Sequence, residues 1–184
     1  LPFMKTRDIQ RLRGLAEKRI FSLNTKEDDP TGEYVLYWMQ MTQRTSYNFA
    51  LLYAMEQANK YRVPLVVYHG LNDDYPYASD RIHTFILQGV KDLYRRFKQM
   101  GINYGFYLVH GKKKPALSHL MKKAVCVVSD DYPTFVTKHF NEHVAASCPA
   151  RYILVDSCTV ASMRFFEKQE WSAAGIRPTI KKVF

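Results

Sequence analysis

The chain has 184 residues, with 27 Lys plus Arg against 17 Asp plus Glu and a formal net charge of +10. A hydrophobic share of 47% is ordinary for a globular protein, so the length supports one domain with a sizeable core. No apolar run approaches the ~20 residues needed to cross a bilayer, which excludes a membrane-spanning helix, and no signal peptide is visible.

The charge surplus favours nucleic acid, nucleotides or acidic partners, or else marks a solvated basic surface. The three cysteines, Cys126, Cys148 and Cys158, are odd in number and contain no C-x-x-C pair. They read as reduced thiols of an intracellular protein, cytoplasmic or nuclear, rather than a disulfide frame or zinc site.

Along the chain, Ile9, Leu12, Leu15, Ala16 and Ile20 recur at helical spacing among Arg and Lys, which predicts an amphipathic helix over 6–20. The polar stretch 22–33, with Pro30 and Gly32, is a linker or surface loop. Strand and helix signals then alternate. Tyr34–Met39 is a first strand, and Asn48 caps a helix reaching about Tyr61. Val63–Tyr68 is a second strand, and a long helix runs from Ser79 to Met100 with Gly101 as a suitable C-cap. Ile102–Val109, Val125–Ser129 and Tyr152–Val155 are the third, fourth and fifth strands, separated by helices over Pro115–Lys123 and Thr134–Ala146. Buried strands alternating with helices imply an α/β fold, a mostly parallel sheet with helices on both faces. Residues 1–32 are then an N-terminal helix and linker, 33–156 the α/β domain, and 157–184 a tail with no further α/β unit.

Candidate site residues gather where the first strand opens into its loop. In an α/β sheet, ligands sit in the crevice outside the carboxyl ends of the strands. Trp38, Met39, Gln40 and Arg44 offer an aromatic face, a polarizable filler, an amide and a cation, a set suited to a planar ring with an acidic or phosphate tail. The alternative places Trp38 and Met39 in the ordinary core. Asp130 and Tyr132 face the same crevice if the first and fourth strands are neighbours, or else cap a loop. Lys112, Lys113 and Lys114 form a basic run without Walker spacing, a weak nucleic-acid contact or a solvated turn. His139 and His143 stand four apart on a helix with no evident third ligand, so no metal site is expected.

The ordered set of motifs resembles the N-terminal domain of class II cyclobutane-pyrimidine-dimer DNA photolyases. Its elements are Tyr34-Val-Leu-Tyr-Trp-Met-Gln40 followed by Gln43-Arg44 and Asn48-Phe-Ala-Leu51, then Pro64-Leu-Val-Val67, and the spaced Arg81, Phe85, Leu87 and Gly89. Gly101-Ile102, Asp130 with Pro133, and Lys168-Gln-Glu170 leading to Ile176-Arg-Pro178 complete it. The resemblance implies a Rossmann-like three-layer α/β/α domain with a five-stranded, mostly parallel sheet of order 3-2-1-4-5. It further implies a light-harvesting antenna chromophore, a deazaflavin or a folate, held by this domain. In the family, FAD and light-driven DNA repair belong to a separate C-terminal helical domain, so that domain, and DNA through it, are the implied partners. On its own, the chain is expected to bind a chromophore or nucleotide-like ligand rather than catalyse. The sequence departs from the family at Thr134, where Leu is usual, at Phe135, Lys138, Phe140 and Asn141, where Arg and Trp are usual, and at Tyr47, where an acidic residue is usual. These losses and the +10 charge leave open an alternative: a derived fold acting as a protein- or nucleic-acid-interaction module.

Overall fold

The computed structural model describes residues 18–110, 116–166 and 168–183. Its centre is a mixed sheet of six strands. These are β1 (Ile20–Ser22), β2 (Tyr34–Trp38), β3 (Leu65–Asn72), β4 (Asn103–Val109), β5 (Ala124–Asp130) and β6 (Arg151–Val155). Five helices join or follow them: α1 (Phe49–Tyr61), α2 (Asp80–Gln99), α3 (Leu117–Met121), α4 (Phe135–Ser147) and α5 (Ala173–Val183). A 3₁₀ turn occupies Met163–Phe165.

The strand order is β1-β6-β5-β2-β3-β4, which corrects the expected count and extends the order: β1 is a sixth strand at the edge, beside five that run in the expected 3-2-1-4-5. β2 to β6 pair in parallel, whereas β1 lies antiparallel on β6 with Ile20 opposite Val155. Ile20, expected at the end of a helix, therefore belongs to a strand, and residues 6–17 of that expected helix lie outside the described residues. So do Lys112, Lys113 and Lys114.

The central strands form because their apolar runs are buried on both faces, as parallel sheets demand, whereas the edge strands β1 and β4 are half-buried or exposed. Val35, Leu36 and Tyr37 are fully buried, and every residue of β5 is buried. Side chains alternate between two layers. Val35, Tyr37, Met39, Val67 and Ile153 pack with α1 and the second half of α2, while Leu36, Val127, Tyr152 and Leu154 pack with α3 and α4. One extra residue in β5 shifts its register against β2 between Tyr34 and Leu36, a β-bulge.

The helix ends follow ordinary capping chemistry. Asn48 accepts from the Leu51 N–H at the start of α1 and Ser79 from the Ile82 N–H at the start of α2. Gly101 takes φ +69° directly after α2, the left-handed conformation glycine adopts without penalty. The stretch before β2 is tied under the sheet: the Asp29 N–H donates to the Val125 carbonyl and the Glu33 N–H to the Lys123 carbonyl, both at 2.8 Å. At Gly32 a Cβ would stand 2.3 Å from the Val125 nitrogen, so glycine is required for that approach. No described helix is long and apolar enough to cross a membrane.

Candidate functional site

The carboxyl ends of β2, β5 and β6 open into three loops that are bonded to one another. Asp130, the last residue of β5, is fully buried. Its Oδ2 accepts three successive backbone N–H groups, from Gln40 at 3.0 Å, Met41 at 2.8 Å and Thr42 at 2.9 Å. Its Oδ1 accepts the Tyr37 hydroxyl at 2.9 Å. Burial pushes the Asp130 carboxyl above its ordinary range, opposed by these N–H and hydroxyl donors. Burial likewise pushes the Tyr37 hydroxyl well up, reinforced by the Asp130 charge.

Gln40 extends the network. Its Nε2 donates to Ser129 Oγ at 2.8 Å and to Asn141 Oδ1 at 2.7 Å. The Tyr152 hydroxyl donates to the same Asn141 oxygen at 2.8 Å, and Asn141 Nδ2 donates to the Asp130 carbonyl at 3.1 Å. Asn48 ties the far end of the loop, its Nδ2 donating to the Thr42 and Arg44 carbonyls at 3.1 and 3.0 Å. Arg44 bridges to the loop after β6: its guanidinium donates to the Ser157 carbonyl at 2.7 Å and to the Tyr47 carbonyl at 3.2 Å. Tyr47 itself is 89% exposed with φ +52°, a strained conformation for a bulky residue.

The loop after β6 is built on Asp156. Its Oδ1 accepts the N–H groups of Cys158 and Thr159, each at 3.0 Å. Buried Arg19 pairs with Asp156 at 3.8 Å and donates to the Thr159 carbonyl at 2.8 Å. Between this loop and α4 lies a cleft of about 240 Å³, bordered by Tyr132, Lys138, Asn141, Glu142, Ser162 and Arg164 over Leu23 and Leu154. Arg164 closes one side by pairing with Asp131 at 3.1 Å while its guanidinium lies 4.1 Å over the Phe21 ring. The cleft combines an apolar floor with amide, hydroxyl and charged groups at its rim, the composition of a small-molecule site.

The structure brings Gln40, Arg44 and Asp130 into one bonded unit. Met39 is fully buried in the α1-side core, and Trp38 is half-buried against the α3–α4 side. Tyr132 borders the cleft, which Asn141 joins to the Gln40 network. His139 is exposed and lies 3.6 Å from Glu142, and among the described residues no group of three His, Cys, Asp or Glu stands together as a metal site. Sequence reasoning missed Tyr37, Ser129, Asn141, Tyr152 and Ser157. For Tyr37, Ser129, Tyr152 and Ser157 the available signal was their polarity inside or beside strands otherwise made of buried apolar residues; Asn141 sits in mid-helix α4 and carried none.

The DNA photolyase family matches residues 35–183, which include β2 to β6 and all the loops just described. A deoxyribodipyrimidine photo-lyase of Methanothermobacter thermautotrophicus is 34% identical over 169 residues, 90% of this chain and 37% of that protein. The protein of the same name from Arabidopsis thaliana is 29% identical over 160 residues, 84% of this chain and 32% of its own length. The chain thus spans about a third of the length of these relatives. A universal stress protein from Archaeoglobus fulgidus overlays 67% of this chain and 94% of its own at 15% identity and a TM-score of 0.45, too distant to bear on function. With the match running through the sheet and through every loop at its carboxyl end, the chain belongs to the DNA photolyase family.

Proposed function

We propose that this domain is the antenna-type α/β domain of a class II deoxyribodipyrimidine photolyase. It binds a planar chromophore, a deazaflavin or a folate, at the carboxyl ends of its strands. When bound, such a group absorbs light and supplies excitation energy. A separate helical domain carrying FAD receives that energy and performs the repair, with the DNA lesion turned out of its stack toward the flavin. The observation that carries the reading is the Asp130-pinned loop beside the cleft, lying within the residues that match the family. Neither the repair reaction nor the FAD site is assigned to these residues.

The residues present fit a planar ring with polar edges. Tyr132 supplies aromatic surface at the cleft, and Lys138 and Asn141 supply polar groups there, while Trp38 packs at the end of β2 and Gln40 holds Asn141 in place. Met39 and Asp130 act from beneath: one fills the core and the other holds the loop, since both Asp130 oxygens accept from the chain itself. Arg44 holds the loops together through the Tyr47 and Ser157 carbonyls. An interaction module that has lost its chromophore is the less supported reading, because the family match covers the site loops as well as the sheet.

The test is the near-UV and visible absorption of the purified chain, alone and after addition of a deazaflavin, a folate or FAD. Saturable uptake of a deazaflavin or a folate, lost in Trp38→Phe and Arg44→Ala variants that keep their circular dichroism, is the expected result. Uptake of none of the three would overturn the antenna reading. DNA binding with a steep salt dependence would then favour the interaction module.

A further inference from the structure

The second half of α2 presents a face that the core does not use. Leu93 and Phe97 are buried, and Phe97 stacks on Tyr104 of β4 with ring centroids 5.0 Å apart. Lys91, Tyr94, Arg95 and Lys98 recur at three- and four-residue spacing on a different face, and all four are exposed. From Gln88 to Val109, which spans this half-helix and all of β4, Asp92 is the only acidic residue. Its partner is Arg95, at 3.1 Å on the open surface, where solvent leaves such a pair worth little. Among the described residues, Lys91 and Lys98 have no acidic partner.

Beside this face lies a hollow of about 280 Å³, bordered by Tyr94, Lys98, Ile102, Asn103 and Tyr104. It joins the end of α2 to the first residues of β4, the strand at one edge of the sheet. Asn103 is exposed there and its amide carries both a donor and an acceptor. A cation in the last turn of a helix ordinarily answers the helix dipole, which accounts for Lys98 and Arg96. It does not account for Lys91, about two turns from the end, or for a 55% exposed tyrosine ring set between two cations.

We propose that this face binds single-stranded nucleic acid. Lys91, Lys98 and the donors of Arg95 that Asp92 leaves free hold phosphates, and a base stacks on Tyr94 over the hollow. A basic track around an exposed aromatic ring holds an unpaired strand without reading its sequence, and the formal net charge of +10 draws a polyanion in. A duplex fits less well, because its bases are stacked on one another and offer Tyr94 no free face. An acidic side chain of a protein brings charge to the lysines but no ring to Tyr94. A lipid surface needs an apolar stripe, and the one on this half of α2, Leu93 and Phe97, is turned into the core. The proposal goes beyond the antenna reading and does not depend on it.

The experiment uses the whole chain and four probes: a labelled oligothymidylate, its duplex with oligoadenylate, polyglutamate, and phosphatidylglycerol vesicles. Anisotropy of the oligothymidylate between about 50 and 200 mM salt is expected to give a log–log slope of about −2, from three phosphate contacts at about 0.7 each. Lys91→Gln and Lys98→Gln are each expected to make the slope shallower by about 0.7. Lys26→Gln removes the same charge at an exposed site beside β6, on the other side of the sheet, and is expected to leave the slope unchanged. Tyr94→Ala is expected to weaken the single strand by about fivefold or more, the loss of one stacked base, and Tyr94→Phe to keep it. All these positions are exposed, so the variants keep the fold, which circular dichroism verifies. Their uptake of a deazaflavin or a folate is expected to match the parent's, so the two readings fail separately. The proposal is overturned if the oligothymidylate does not bind, if Lys91→Gln and Lys98→Gln change the slope no more than Lys26→Gln, or if Tyr94→Ala binds as the parent does. Tighter binding of the duplex, of polyglutamate or of the vesicles would overturn it in favour of that partner.

Discussion

The loop after β2 and the first half of α2 lie in the same fold yet are fixed in opposite ways. In the loop, three consecutive N–H groups and a tyrosine hydroxyl converge on one buried carboxylate, and side chains from β5, α4 and β6 close the network around it. Along the first half of α2, apolar side chains face solvent and nothing fills the space over Gly89. A buried polar network must be satisfied from within to exist at all. An exposed apolar face carries no such requirement, so the first region is fixed by its own bonds and the second is left to solvent.

The largest break in that contrast is Asp130→Ala, which strands several buried donors. It should cost about 4 kcal/mol of stability, given about 1–3 kcal/mol per unsatisfied buried group and partial relaxation of the loop. Urea unfolding measures it, and a loss below about 1 kcal/mol would mean that the loop holds without its carboxylate. A second break uses pH. His69 is buried, with its Nδ1 bonded to the Tyr104 hydroxyl at 2.9 Å, and burial lowers its pKa from 6.5 to about 4. The unfolded chain therefore binds a proton that the folded chain refuses between pH 6.5 and 4. His69's contribution is fully present above pH 6.5 and is lost as the pH falls toward 4, about 3 kcal/mol across the window. In His69→Gln this part of the pH slope should vanish, whereas an unchanged slope would assign it to other groups.

Smaller effects sharpen the comparison. Arg44→Ala removes the bond to the Ser157 carbonyl and should cost about 1 kcal/mol while loosening the loops on both sides, visible as faster hydrogen exchange at Thr42 and Cys158. On α2 the sign reverses. Gly89→Ala should raise stability by about 0.5–1 kcal/mol, because helix propensity improves and the added methyl meets nothing. Phe85→Ser should change thermal stability by no more than about 0.5 kcal/mol, despite removing a large apolar side chain.

The parallel strands were legible because burial on both faces writes them as continuous apolar runs, Val35–Tyr37 and Val125–Val128 among them. β1 was not: three residues next to a basic segment carry no period, and their pairing with Val155, Leu154 and Ile153 is made far along the chain. Of the bonded loop network, Gln40, Arg44 and Asp130 were legible because position at a strand end narrows the choice. Its internal logic was hidden. Nothing in a lone aspartate states that its partners are three backbone N–H groups some 90 residues earlier, or that Asn141 and Tyr152 meet over Gln40. The cleft wall at 156–164 was missed for a related reason. It is shaped by Asp156 bonding its own turn and by Arg19 reaching across from before β1, neither of which leaves a periodic trace.

The placement of β1 also has a kinetic consequence. During synthesis Ile20 emerges well before its partner Val155, so β1 stays unpaired while β2, β3 and β4 are made and assembled. Arg19 must likewise wait for Asp156 before its buried charge has a counter-ion. Contacts this distant along the chain form late, since the loop must close before the pairing rewards it. A ribosome stalled before β6 is complete would therefore display a nascent domain with its β2–β5 layer formed, its β1 segment open to protease, and the wall of its cleft not yet built.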